Sequence, residues 1–146
     1  MTVVIDRATA GDIPAVRTLL AGHRLPLDDV DRNVRTTLVA RDGRQVVGSA
    51  ALEIYDGGAL LRSVAVDSRM QSSGIGHQLI DATLQLAREA GADQVFLLTT
   101  AAEQFFPRFG FEHIARSDVP ASVQTSVEFQ SACPASAVVM RKRLER

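Results

Sequence analysis

Residues 69–79 read RMQSSGIGHQL and follow directly on the apolar run ALLRSVAV. Gln71, Ser72, Ser73, Gly74, Ile75, Gly76 and His77 therefore form a short polar loop that passes into an apolar-periodic stretch. Glycine and serine let several backbone amides converge on one anion without Cβ obstruction. A helix opening at that point adds unpaired N–H groups and the positive end of its dipole. The loop is then either a pyrophosphate cradle or an ordinary strand–helix turn that needs glycine for its φ. His77 falls in the first helical turn, where it could touch a phosphate or simply face solvent, and Arg69 could likewise meet phosphate. Two familiar phosphate motifs do not fit. The P-loop requires a lysine after its second glycine, and the dinucleotide fingerprint wants three glycines opening the first βαβ unit. Arg62 interrupts the apolar strand and offers a planar fork, either for a substrate carboxylate or for a structural ion pair. His23, His77 and His113 are too scattered for a metal site, and a lone Cys133 excludes a multi-thiolate site within one chain.

The elements that must position these residues follow from periodicity. TVVIDRA reads as a first strand, and GDIPAVRTLLAG as a helix with Asp12 as its cap, Pro14 in its first turn and Gly22 at its end. HRLPLDDVDRN reads as a polar connection with room for a short helix. Residues 36–66 read as three strands, with Asp42-Gly43 and Asp56-Gly57-Gly58 supplying tight hairpins. After the glycine loop, Ile75, Leu79, Ala82 and Leu86 form a helical stripe that Gly91 stops. DQVFLLTT is a buried strand, AAEQFFPRF a short amphipathic helix, and GFEHIARS another strand. DVPASVQTSVEFQSACPAS reads as irregular, and AVVMRKRLE closes the sheet. The predicted fold class is α/β, with about seven mostly antiparallel strands and about four helices around a central parallel βαβ unit at 59–66, 75–90 and 94–100.

Composition narrows the function. A length of 146 residues suits a single domain with its own core. The apolar share is 46%, with no run long enough to span a bilayer, which predicts a soluble protein. A net charge of −1 argues against a general binder of nucleic acid or of membrane surfaces. MTVVIDRATAGD lacks the basic region and apolar core of a secretory signal. With a single cysteine, a reducing cytoplasm is the expected compartment.

The spacing Gln71-x-x-Gly74-x-Gly76 after SVAV resembles the acyl-CoA signature of the Gcn5-related N-acetyltransferase (GNAT) superfamily. DRATAGDIPAVRTLL is similar to that superfamily's opening strand and helix, and AAEQFFPRFGF to its FY-x-x-x-GF segment. LRSVAV, LLTTAAEQFF and T-x-x-EF-x-x-x-CP-x-SA are further similar to small bacterial acetyltransferases associated with arsenic-resistance operons.

The resemblance implies acetyl-CoA as co-substrate, no metal, and a small-molecule amine acceptor, in a monomer or homodimer. It also implies roles. Backbone N–H groups from Gln71 to Gly76 hold the pyrophosphate. Val64, Ala65 and Val66 run beside the pantetheine, with main-chain N–H near Val64 stabilising the tetrahedral oxyanion. The general base of the superfamily is often a glutamate or a water chain, which nominates Glu53 on the middle strand and Glu128 in the irregular segment. Either could equally be a solvated strand-edge carboxylate. Where the superfamily carries tyrosine as a proton donor, this chain has Phe106, which could instead wall off the thioester. Cys133 could carry an acyl group only with an activating base beside it, so direct transfer is expected. The alternative is a non-catalytic acyl-CoA-binding module or sensor that kept the cradle.

Overall fold

The computed structural model describes residues 3–71 and 73–144. Seven strands make one sheet: β1 (Val3–Arg7), β2 (Thr37–Asp42), β3 (Gln45–Tyr55), β4 (Gly58–Val66), β5 (Gln94–Thr99), β6 (Glu112–His113) and β7 (Val138–Arg143). Their spatial order is β1-β2-β3-β4-β5-β7-β6. Every neighbouring pair is antiparallel except β4 and β5, whose connection runs through helix α2 (Ile75–Glu89).

Two helices cover opposite faces. The apolar stripe of α2, including Ile75, Leu79, Ile80 and Leu84, packs on Leu38, Leu52, Leu61, Val95 and Leu97. Helix α1 (Ile13–Gly22) buries Ile13, Val16 and Leu20 against Val39 and Ala65 on the other face. That second face holds a further cluster in which Leu60, Phe96 and Val139 meet Val119 and Val123. A gap between those two clusters positions the site.

Four local expectations are corrected. Asp12 stands at the start of α1 but makes no cap bond; its carboxylate takes both guanidinium nitrogens of Arg41, at 2.6 and 2.7 Å. That pairing, with help from Thr9, holds its pKa down at about 2. The 101–109 segment shrinks to a turn over Phe106–Phe109, because Pro107 has no N–H to continue a helical ladder. GFEHIARS contributes only Glu112–His113 as strand, an edge lying against β7 alone. The region read as irregular contains a short helix, α3 (Ala121–Gln124), and a wide turn over Glu128–Ala132. Val119 and Val123 anchor it by packing on Leu60 and Phe96.

Candidate active site

β4 and β5 pair only at Ala59–Val95 and Leu60–Phe96, and beyond those residues the strands part. The parting coincides with a bulge in β4. Ser49 faces Ala65 and Ala51 faces Arg62, so Ser63 and Val64 together oppose one residue of β3. Ser63 takes φ +58°, and Ser49 Oγ donates to its carbonyl at 2.8 Å. A non-glycine residue in that region costs about 1–3 kcal/mol, and such strain concentrates at functional sites. The extra residue also switches the faces. Leu60 and Arg62 lie on the α1 side; beyond the bulge Ala65 takes that side, and Val64 and Val66 turn toward the α2 core.

Arg62 fills the gap between the two clusters on the α1 side. Its side chain is 0% exposed, and those of Glu53 and Glu128 are 8% and 4%. Nη1 donates to Glu53 Oε2 at 2.6 Å, and Nη2 to the Asp28 carbonyl. Nε lies 3.3 Å from Glu128 Oε2 and 3.2 Å from Ser63 Oγ. A ligand carboxylate could reach this guanidinium only by displacing a carboxylate already there, so the geometry favours the structural-pair reading of Arg62 over the substrate fork.

The two glutamates differ in how fully they are held. Glu53 accepts from Arg62, from Asn33 Nδ2 at 3.1 Å and from the Tyr55 hydroxyl. Burial and the bond to Glu53 push the Tyr55 pKa up. Among the described residues Glu128 has only the long contact to Arg62 Nε and the Cys133 thiol, which donates to its Oε1 at 3.6 Å. The wide turn makes that second contact, since Cys133 N donates to the Glu128 carbonyl at 3.1 Å. Burial pushes the Glu128 carboxyl up, opposed by the charge of Arg62. Burial and the Glu128 charge push the Cys133 thiol up to about 12.

The glycine loop leads into α2 as the sequence predicts. Gly74 takes φ +86° at the helix start, and a Cβ at Gly76 would meet only Phe105 Cζ at 3.6 Å and Val66 Cγ2 at 3.7 Å. Gln71 Nε2 donates to the Val66 carbonyl at 3.3 Å and Ser73 Oγ to the Met70 carbonyl, so both side chains brace the turn. Ser72 lies outside the described residues. Arg69 is occupied by Asp67 at 3.0 Å, and His77, 63% exposed, sits beside Asp81 at 3.3 Å and the Phe109 ring. A groove of about 420 Å³, lined by residues 100–105 and Arg108, opens at the end of β5. Phe106 is buried against Phe105 and Phe111, leaving Phe105 as the ring nearer the loop and the groove. Phe105, which reads most simply as core in the sequence, is only half-buried there.

Residues 33–113 match the acetyltransferase (GNAT) domain family. The chain belongs to the GNAT family. A GNAT relative, the amino-acid acetyltransferase of Mycobacterium tuberculosis, is 35% identical over 134 residues, covering 82% of this chain and 74% of that protein. The N-acetyltransferase CT2212 of Chlorobaculum tepidum is 26% identical over 127 residues, 82% of this chain and 81% of that one. Among solved structures, Rv2747 of M. tuberculosis in complex with CoA and a second ligand superposes with TM-score 0.82 at 30% identity, over 97% of this chain and 99% of that one. N-acetylglutamate synthase of Neisseria gonorrhoeae, complexed with coenzyme A and N-acetyl-glutamate, reaches TM-score 0.86 at 21% identity. It covers all of this chain but 36% of its own, so it speaks for the GNAT fold alone. This GNAT chain is an acetyl-CoA-dependent N-acetyltransferase. The parted strands, the bulge and the Gly74–Gly76 loop fit the co-substrate.

Proposed function

We propose that this enzyme acetylates the α-amine of a free amino acid by direct transfer, with Glu128 as the proton acceptor. The observation that carries the reading is the pair of buried carboxylates around Arg62, two residues past the point where β4 and β5 part. The 35% identity to an amino-acid acetyltransferase supports it. An α-ammonium must lose a proton before it can attack, so the site needs a base. Glu53 already accepts three donors, whereas Glu128 is loosely held and its pKa is raised by burial. Glu128 takes one proton of the ammonium; the amine nitrogen then bonds the acetyl carbon, the carbon–sulfur bond breaks, and the nitrogen's second proton leaves with CoA, which departs as its thiol.

In this reading the backbone from Gln71 to Gly76 holds the pyrophosphate, Val64 to Val66 run beside the pantetheine, and His77 stands at the rim of the cradle. Phe105, rather than Phe106 alone, forms the apolar wall. Gly76→Asp then introduces a negative charge into the cradle without a clash in the fold. CoA affinity should fall about thirtyfold with little change in melting temperature, as loss of charge-assisted hydrogen bonds implies. Unchanged CoA affinity by calorimetry would remove the loop from the site.

Cys133→Ser should keep most of the activity, since a thiol pushed up to about 12 supplies almost no thiolate at neutral pH. An acetyl adduct on Cys133, lost in the variant together with turnover, would establish an acyl-enzyme instead.

The substrate reading is tested by CoA-thiol release with a panel of L-amino acids, lysine-bearing peptides and simple amines. An arsenic-bearing amino acid belongs in the panel because LRSVAV, LLTTAAEQFF and the 125–137 pattern resemble the arsenic-associated group. Its preferential turnover would narrow the function to detoxification. Turnover of peptides but of no free amino acid would sink the proposal.

A further inference from the structure

An amino-acid acceptor brings a carboxylate as well as an amine, and Arg62 has no free fork for it. We propose that Arg116 receives the α-carboxylate of the acceptor and sets the preference for free amino acids; this rests on the amino-acid reading above. Arg116 opens the turn Arg116–Asp118 after β6 and is half-buried. Its guanidinium carbon lies 5.6 Å from the centre of the Phe129 ring, the residue next to Glu128. Among the described residues Nη2 donates only to the carbonyls of Pro134 and Ala135, both at a long 3.4 Å. No carboxylate among the described residues forms an ion pair with it, in contrast to Arg41, Arg62, Arg69 and Arg141.

Cys133 links the two ends of the site. Its thiol lies 3.6 Å from Glu128, and it also feels the positive charge of Arg116. A proton acceptor and a cation that forms no ion pair among the described residues therefore flank the same five-residue turn, Glu128–Ala132. The Phe129 ring attracts the guanidinium without neutralising it, and the two long carbonyl contacts carry no charge that a bidentate anion would have to displace. Arg88, Arg108 and Lys142, which likewise form no ion pair among the described residues, line a groove along α2 with Leu84 and Phe109. Those two residues belong to the core on the α2 face, whereas Phe129 packs on the opposite one.

The test compares each L-amino acid with its α-amide, which keeps the amine and side chain but removes the negative charge. Wild-type enzyme should use the acid at least about thirtyfold better than the amide, the range of a charge-assisted pair. Arg116→Ala should erase that gap by raising KM for the acid alone, leaving kcat within about threefold and KM for acetyl-CoA unchanged. Arg116→Lys should restore part of the gap, because the charge returns without the fork. Acetyl-CoA binding and the melting temperature report whether the variants are folded. If wild type prefers acids and Arg116→Ala keeps the preference, the assignment is overturned while the amino-acid reading stands. Equal losses on acid and amide would make Arg116 structural and also overturn it. If wild type itself ignores the difference between acid and amide, the amino-acid reading falls and takes the assignment with it.

Discussion

Replacing Glu128 with glutamine should lower kcat about a hundredfold or more, with acetyl-CoA binding and fold retained. General base catalysis contributes about 10²- to 10⁴-fold, and glutamine keeps the shape of the side chain while losing its basicity. Arg62 Nε and the Cys133 thiol contact separate oxygens of this carboxylate, so glutamine can keep the Arg62 contact through its amide oxygen and turn its N–H toward the Cys133 sulfur. The pH profile is the sharper readout. Burial raises the Glu128 pKa, opposed by Arg62 and reinforced by Glu53 and Asp28. Wild-type kcat/KM should therefore fall on the acid side at a pH above the ordinary glutamate value of about 4.3. That limb should disappear in the variant. A Glu128→Gln enzyme with kcat within threefold of wild type and the same limb would move the base to Glu53 or to water.

Arg62→Met should cost about 3–5 kcal/mol of stability at neutral pH, the penalty for leaving buried charge without its partner. Both Glu53 and Glu128 lose their only paired cation, in a region where they are 8% and 4% exposed. The loss has a definite dependence on pH. With Arg62 gone, the Glu128 carboxyl, which burial already pushes up, loses the charge that opposes burial and titrates in the folded state still further above its unfolded value. Between those pH values the native state binds more protons than the unfolded state, so unfolding free energy falls as pH rises. The deficit of the variant should be largest near pH 8 and should shrink as the pH falls toward the ordinary glutamate value. Denaturant unfolding at pH 5 and pH 8 measures it. The double variant Arg62→Met/Glu128→Gln should be more stable than Arg62→Met alone, because one uncompensated charge is gone. A Met variant as stable as wild type at pH 8 would mean that water reaches these carboxylates.

The two predictions concern residues that the sequence identified one at a time without relating them. Arg62 stands out as charge in an apolar strand, and the family resemblance nominates Glu53 and Glu128 as candidate bases. Their ion pairing depends on β3 and β4 lying side by side and on the 119–129 segment folding back over Leu60 and Phe96. The glycine loop was more legible. Its glycines, its place after an apolar strand and the start of the α2 stripe are all local features, and Gly74 takes the positive φ that they imply. The 101–109 segment misled for a local reason as well. Its apolar spacing suits a helix, but one missing N–H at Pro107 limits it to a turn.

The sequence by itself determined the strands, the helices α1 and α2, their order and the family, because periodicity, glycine placement and short motifs act within a few residues of chain. Tertiary structure alone decided the rest. The bulge at Ser63 has no signature in LRSVAV, and it arises where β4 must pair with β3 while leaving β5. The same long-range packing set the partners of the charged groups. Whether an arginine is free or spent depends on which carboxylates the fold brings within hydrogen-bond reach, and Arg62 is enclosed by two while Arg116 meets none among the described residues. Burial then made the proton affinities of Glu128 and Cys133 a property of the packed site.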